Sequence, residues 1–282
     1  MTGTSAAREG RAVGWAAGRL VGFDTETTGV DVTNDRIVTA ALVIRDGLHG
    51  LSRTRTWVID PGVEIPEAAS AIHGITTEYA RRHGRPPAEV LEELGLDRAI
   101  LAGLSMGGYI ALATTQRHRS LVAGLALLDT KASADPPEAR ENRLRVADAA
   151  EGEEGSGAVA GMLEKLLGAT TLATEPDVVA QHRAWLAAAS PAGIAWGQRA
   201  MAARPDRFAV LEDLEVPGLV LRGAEDEIAT QEDAEAMVRA ITANGGDAEL
   251  VIVPGAGHMT ATEDPEAVAD ALEAFWRRVT GR

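Results

Sequence analysis

Four short stretches of this chain carry residues whose types and spacing can do chemistry. The first is Gly103-Leu-Ser105-Met-Gly107, which matches the G-x-S-x-G nucleophile elbow. An apolar run, Ala99 to Leu104, precedes it, and an apolar helical stretch, Tyr109 to Ala113, follows. A serine in a strained strand-to-helix turn presents its hydroxyl at the strand's carboxyl end. The next backbone N–H, that of Met106, is then aimed at a developing oxyanion. The second and third stretches are Gly223-Ala-Glu-Asp226 and Pro254-Gly-Ala-Gly-His258, each following an apolar β-type run. Parallel α/β sheets place functional residues at the carboxyl ends of strands. Ser105, Asp226 and His258 fall at three such ends. A histidine can take a serine's proton and return it to a leaving group, and a carboxylate holds the imidazole in the required tautomer. Glu225 and Glu227 are rival acids beside Asp226, and His118 and His182 read as structural. The fourth stretch is Val21-Gly-Phe-Asp24-Thr-Glu26-Thr-Thr-Gly29. Asp24 and Glu26 alternate at a strand end, so both carboxylates can reach one divalent ion such as Mg2+.

The elements that must position these groups can be read in order. Leu20–Asp24, Ile37–Ile44 and Thr54–Ile59 read as strands, and their short connections favour an antiparallel meander. Helices follow at about Glu67–His73 and Thr77–His83, and a third opens at Pro86-Pro87 and runs to about Leu94. Gly95-Leu-Asp97 is a joint. The run Ala99–Leu104 suits a strand buried on both faces, and Leu121–Leu128 is a further strand. From about residue 136 to 214 the pattern is helical and alanine-rich, as in a lid inserted between core strands. Regular alternation then resumes with strand Gly218–Arg222, helix Gln231–Thr242, strand Glu249–Val253 and a last helix from Asp264-Pro265 to about Val279. Met162, Trp185, Trp196 and Met201 read as the lid's own core.

Composition narrows the function classes. The chain of 282 residues is 45% hydrophobic, enough for a packed core, and holds no cysteine. Disulfides, cysteine-ligated zinc and a thiol nucleophile are excluded. The net charge is −15; residues 1–94 hold 10 arginines against 13 acids, and the remainder 17 basic against 29 acidic residues. Neither part has the basic excess that nonspecific nucleic-acid binding requires. Residues 1–19 read as a flexible tail without a secretory signal, and no run is long enough to span a membrane. A soluble cytoplasmic protein is the expectation.

From Gly95 to the C-terminus the chain resembles the α/β-hydrolase superfamily, closest to its esterase and lactonase branch. The resemblance rests on Leu96-Asp97 before the elbow strand, Gly-Leu-Ser-Met-Gly-Gly108, Gly-Ala-Glu-Asp226, and Pro-Gly-Ala-Gly-His258 followed by Glu263-Asp-Pro265. The order Ser, Asp, His is that superfamily's chain order. The resemblance implies a mainly parallel sheet with a helical lid and a serine hydrolase that needs no cofactor. Its substrate would be a small-molecule ester or lactone, hydrolysed through an acyl-enzyme. The superfamily begins with about four strands and a His-Gly-type loop that supplies a second oxyanion donor. None of these precedes Ser105, and one lost donor costs on the order of 10²–10³ in rate.

Residues 20–94 resemble a different family, the DEDD-type 3′–5′ exonucleases of the proofreading epsilon-subunit kind. The matching pieces are the Asp24/Glu26 stretch and Ile65-Pro-Glu-Ala-Ala-Ser-Ala-Ile-His-Gly-Ile-Thr76. That family uses four acids, and the segments carrying the later two are not found here. The resemblance therefore implies exonuclease ancestry without the complete metal site.

The sequence thus predicts an α/β chain of three parts: a tail at 1–19, a truncated exonuclease-like meander at 20–94, and a truncated α/β-hydrolase-like domain at 95–282 with its lid at about 136–214. The helix before Ala99 leads into a strand in both families. This predicts one mixed sheet, with Ala99–Leu104 beside Leu20–Asp24 through a right-handed crossover and the two carboxylates near Ser105. A metal-dependent exonuclease and a non-catalytic fusion product are the alternative readings.

Overall fold

The computed structural model describes residues 19–27, 36–46, 52–86 and 98–281; the side chains of residues 19–27, 42, 44–46, 68 and 72 are not among them. The expected tail, the helix after Pro87 and the joint at 95–97 lie outside the described residues. The chain divides into two compact units, and the main division falls between residues 95 and 96.

In the first unit, β1 (Arg19–Thr27), β2 (Ile37–Asp46) and β3 (Ser52–Val58) form an antiparallel sheet in that order. Two helices follow, α1 (Glu67–His73) and α2 (Thr77–His83). Their ends are set by local chemistry: Gly74 takes the left-handed conformation that closes α1, and the Thr76 hydroxyl accepts from Tyr79 N to open α2. A small core of Val38, Ile65, Ala69 and Ala80 joins the helices to the sheet.

The second unit is a four-stranded, wholly parallel sheet in the order β4 (Ala99–Leu104), β5 (Val122–Leu128), β6 (Gly218–Gly223), β7 (Ala248–Val253). Strand alternation splits its core in two. Leu125, Leu127 and Val220 pack on one face with Leu112 of α3 (Met106–Arg117). Ala126, Leu128, Leu219 and Leu221 pack on the other with Val268 and Phe275 of the C-terminal helix (Pro265–Thr280). Burial on both faces explains why β5 and β6 read as unbroken apolar runs.

The lid follows β5. Its helices are α4 (Pro137–Glu151), α5 (Leu163–Leu166), α6 (Ala169–Thr174), α7 (Pro176–Ala188) and α8 (Pro191–Ala203), and α9 (Phe208–Glu212) leads back to β6. A glycine-rich patch at 152–157 runs into a 3-10 helix at Gly155–Met162. Trp185, expected in the lid core, is 51% exposed. After β6 come α10 (Gln231–Ala243), opened by a Thr230/Asp233 capping box, then β7, α11 (Thr260–Glu263) and α12 (Pro265–Thr280).

The predicted mixed sheet does not form: β1–β3 and β4–β7 are two separate sheets. Within each sheet the strands pair in sequence order, and β4 pairs with β5 rather than with β1; an apolar run fixes burial, not which strand lies beside it. Without a shared sheet, the expectation that brought Asp24 and Glu26 beside Ser105 loses its basis.

Candidate active site

The second unit brings three sequence-predicted residues together. Ser105 ends β4 and caps α3 at φ 51° and ψ −112°, a left-handed backbone that a non-glycine residue adopts only under constraint. The constraint is visible: Ser105 N donates to Leu128 O at 2.9 Å, and Ser105 O accepts from Thr130 Oγ1 at 2.7 Å and from Gly108 N at 3.0 Å. The tight turn also needs Gly103, where a Cβ would sit 2.2 Å from Gly107 O. Gly107, the motif's second glycine, has no atom within 4 Å of its would-be Cβ. The close helix contact falls at Gly108 instead, whose Cβ would lie 2.5 Å from the Thr130 side chain.

Ser105 Oγ lies 2.8 Å from His258 Nε2, and His258 Nδ1 lies 2.9 Å from Asp226 Oδ2. A carboxylate only accepts, so Nδ1 carries the proton and Nε2 accepts from the serine hydroxyl. His258 and Asp226 are both buried. The other Asp226 oxygen accepts from Ile228 N at 2.7 Å and Ala229 N at 3.0 Å, which locks the carboxylate plane. The rival acids point elsewhere. Glu225 accepts from Thr170 N and Thr170 Oγ1, bonds that hold its carboxyl below the ordinary range, and Glu227 is exposed. Met106 is the first residue of α3, and an N–H in a first helical turn has no intrahelical acceptor.

Two further carboxylates hold the histidine loop, and neither stood out in the sequence. Glu263 accepts from Gly257 N and Met259 N, both at 3.0 Å, and from Gly168 N of the lid at 2.7 Å. It appears in the sequence only as part of Glu-Asp-Pro five residues past His258. Asp129, at the end of β5, accepts from Gly223 N at 3.1 Å, from Thr260 N at 3.3 Å and from the Thr260 hydroxyl. Its signal was available: an acid directly follows a fully apolar strand, at the carboxyl end where a parallel sheet places functional residues. The lid adds a backbone bond, His258 N to Leu166 O at 3.0 Å. His182, read as structural, is buried in α7 with Nδ1 3.0 Å from Val178 O and Nε2 3.2 Å from Thr262 Oγ1.

A groove of about 500 Å³ runs between the lid and the acid loop, lined by Glu164, Lys165, Leu172, Glu225 and Glu227 among others, but not by Ser105 or His258. Among the described residues no group of three or more metal-ligating side chains occurs. No helix among them is long and apolar enough to cross a membrane. The side chains of Asp24 and Glu26, the expected metal ligands, lie outside the described residues; their backbones pair with Ala41 and Thr39 across β1 and β2.

A wholly parallel sheet, a helical lid and a Ser–His–Asp chain across three strand ends define an α/β-hydrolase. The chain belongs to the alpha/beta hydrolase family, whose profile matches residues 40–271. That match begins within the segment that resembles the exonucleases. Among solved structures, the chain is similar to a thermophilic esterase from Thermogutta terrifontis, at 40% identity and a TM-score of 0.63, over 68% of this chain and 70% of that one. It is also similar to the enol-lactonase from Burkholderia xenovorans, at 28% identity and 0.56, over 68% and 69%. A hydrolase from Pseudomonas aeruginosa matches at 28% and 0.56, over 67% and 68%. No curated protein matches the chain.

Proposed function

We propose that this hydrolase acts on a small carboxylic ester or lactone through an acyl-enzyme, with Ser105 as nucleophile. The observation that carries the reading is the unbroken chain from Ser105 Oγ to His258 to Asp226, at 2.8 and 2.9 Å. His258 Nε2 removes the serine proton as Oγ attacks the carbonyl carbon. Asp226 orients the imidazole and stabilises its cation. The Met106 N–H donates to the oxyanion. His258 then returns the proton to the leaving oxygen, and water releases the acid by the same steps in reverse. The likeness to an esterase and an enol-lactonase supports this substrate class.

A fluorophosphonate probe tests the reading. Rapid labelling located at Ser105 by mass spectrometry, absent in Ser105→Ala and lost on heat denaturation, is the expected result. A folded protein that stays unlabelled would leave the elbow as architecture only. Relative to a site with two oxyanion donors, labelling on Met106 N–H alone is slower by on the order of 10²–10³.

A second reading concerns the first unit. The antiparallel order β1-β2-β3, with Asp24 and Glu26 on β1, favours descent from a 3′–5′ exonuclease, with Mg2+ as the ion those carboxylates would hold. Two carboxylates cannot clamp two metals, so this unit is proposed as a remnant. Magnesium-dependent release of nucleotides from a 3′ end would overturn that view.

A further inference from the structure

The reaction scheme leaves the buried carboxylate of Asp129 idle. Asp129 has no accessible surface and sits at the end of β5, between the strand that ends in Ser105 and the strand that leads to Asp226. Its backbone is left-handed, at φ 47°, a conformation that persists in a non-glycine residue when the surroundings over-determine it. They do so here. Asp129 N donates to Leu221 O at 2.8 Å, and the carboxylate accepts from Gly223 N, Thr260 N and the Thr260 hydroxyl. Gly223 lies three residues before Asp226, and Thr260 two residues after His258. The next residue, Thr130, donates its hydroxyl to the Ser105 carbonyl at 2.7 Å. The dipeptide Asp129-Thr130 therefore touches the backbone of all three loops that carry the reacting side chains.

We propose that Asp129 is a positioning residue: its carboxylate ties the acid loop to the histidine loop, and its charge is coupled to that of the His258 ring. This rests on the reading of Ser105, His258 and Asp226 given above. Two charged or titratable groups act on Asp129, His258 from the segment after β7 and Asp226 from the loop after β6. Burial pushes its carboxyl up to about 7, while the Thr260 hydroxyl, the His258 charge and the Gly223 N–H pull the other way. Titration there overlaps the ordinary imidazole range. Ionised, Asp129 accepts all three bonds and favours the imidazolium that forms as Ser105 attacks. Protonated, it can aim its O–H at only one of its partners without setting donor against donor, the Thr260 oxygen. Thr260 is thus the residue that accommodates both charge states.

The test reads the His258 ring directly, by NMR of its Cε1–H against pH, with the signal assigned by its loss in His258→Gln. In the wild type the proposal expects two coupled steps. In Asp129→Asn it expects the step that reports the Asp129 carboxyl to vanish from the His258 signal. Thr260→Val removes a donor that favours the ionised form and should move the Asp129 step upward. Superimposable curves in wild type and Asp129→Asn overturn the proposal. If Asp129→Asn does not fold, Thr260→Val decides alone: an upward displacement supports it, and an unmoved curve overturns it. The readout needs no turnover, so an unlabelled Ser105 would sink the hydrolase reading without touching the result.

Discussion

Ser105 and His258 are partners in one hydrogen bond, yet the two are held in different ways. The His258 loop is fastened from several sides. Asp129 and Glu263 accept its backbone N–H groups, Leu166 of the lid accepts the N–H of His258 itself, and Asp226 holds the ring. Ser105 follows β4, which among the described residues pairs with one strand, β5. Within β4 only Gly103 is buried, whereas β6 is buried throughout and β5 almost so. On α3, Met106 and Ile110 are exposed. The His258–Asp226 half is over-determined by core and lid; the Ser105 half, the proposed nucleophile's, depends on its own tight turn and on β5.

The comparison can be broken most sharply at the turn itself. Gly103→Ala places a Cβ 2.2 Å from backbone at Gly107, so the elbow must open. We expect fluorophosphonate labelling of Ser105 to fall at least about 100-fold, as expected when a reacting atom is misplaced by about 1 Å. Gly107→Ala meets open space and should leave the melting temperature unchanged or slightly raised, since alanine suits a first helical turn better than glycine. If the two variants melt and label alike, the turn does not hold the nucleophile.

On the other side, the support should weaken when the lid does. Asp135 is 4% exposed and paired with Arg143 of α4 and with Arg204, which follows α8. Asp135→Ala removes the shared carboxylate of two guanidinium groups and should cost about 3 kcal/mol in urea unfolding. Burial raises the Asp135 carboxyl, but the hydrogen bonds from Arg204 and Arg143 outweigh it and hold it below the ordinary value. Its contribution is therefore full above the ordinary carboxylate value and is lost as pH falls through the lower folded value. The stability gap between wild type and Asp135→Asn should be flat at neutral pH and close in acid. A gap that widens in acid would reverse the sign and refute the pairing.

Glu263→Ala should have a smaller effect. It leaves the N–H groups of Gly257, Met259 and Gly168 without their acceptor, at a cost of about 2 kcal/mol. The local signature is faster hydrogen exchange at these amides, with no change at Gly108 on the nucleophile side. Equal acceleration at both places would mean the two halves are not held independently.

These residues also mark what the sequence could reveal. The meeting of Ser105, Asp226 and His258 was legible because each follows an apolar strand and sits in a turn whose glycines have steric work to do. Helices Glu67–His73 and Thr77–His83 were legible to the residue because Gly74 closes one and Thr76 opens the other. Asp129 closes an apolar strand, a local signal, but its partners Gly223 and Thr260 are far away in sequence, as is Gly168 from Glu263, and no local pattern names distant N–H groups. The split into two sheets was hidden for a related reason. An apolar run such as Ala99–Leu104 records that its side chains suit an interior, not which strand lies beside it. That run has an interior composition and, among the described residues, one partner strand.

The smallest effect follows from that mismatch. Ile110, on the nucleophile's own helix, is 57% exposed, while Leu112 two residues on is 1% exposed. Leu112→Ala should cost about 3 kcal/mol through the cavity it leaves in the core beneath α3. Ile110→Lys should change stability by no more than about 0.5 kcal/mol, the range of surface substitutions away from special features. The two variants share one helix, one assay and almost the same sequence position. A cost for Ile110→Lys approaching that of Leu112→Ala would mean this face is covered in solution, and the nucleophile half would then be as firmly held as the histidine half.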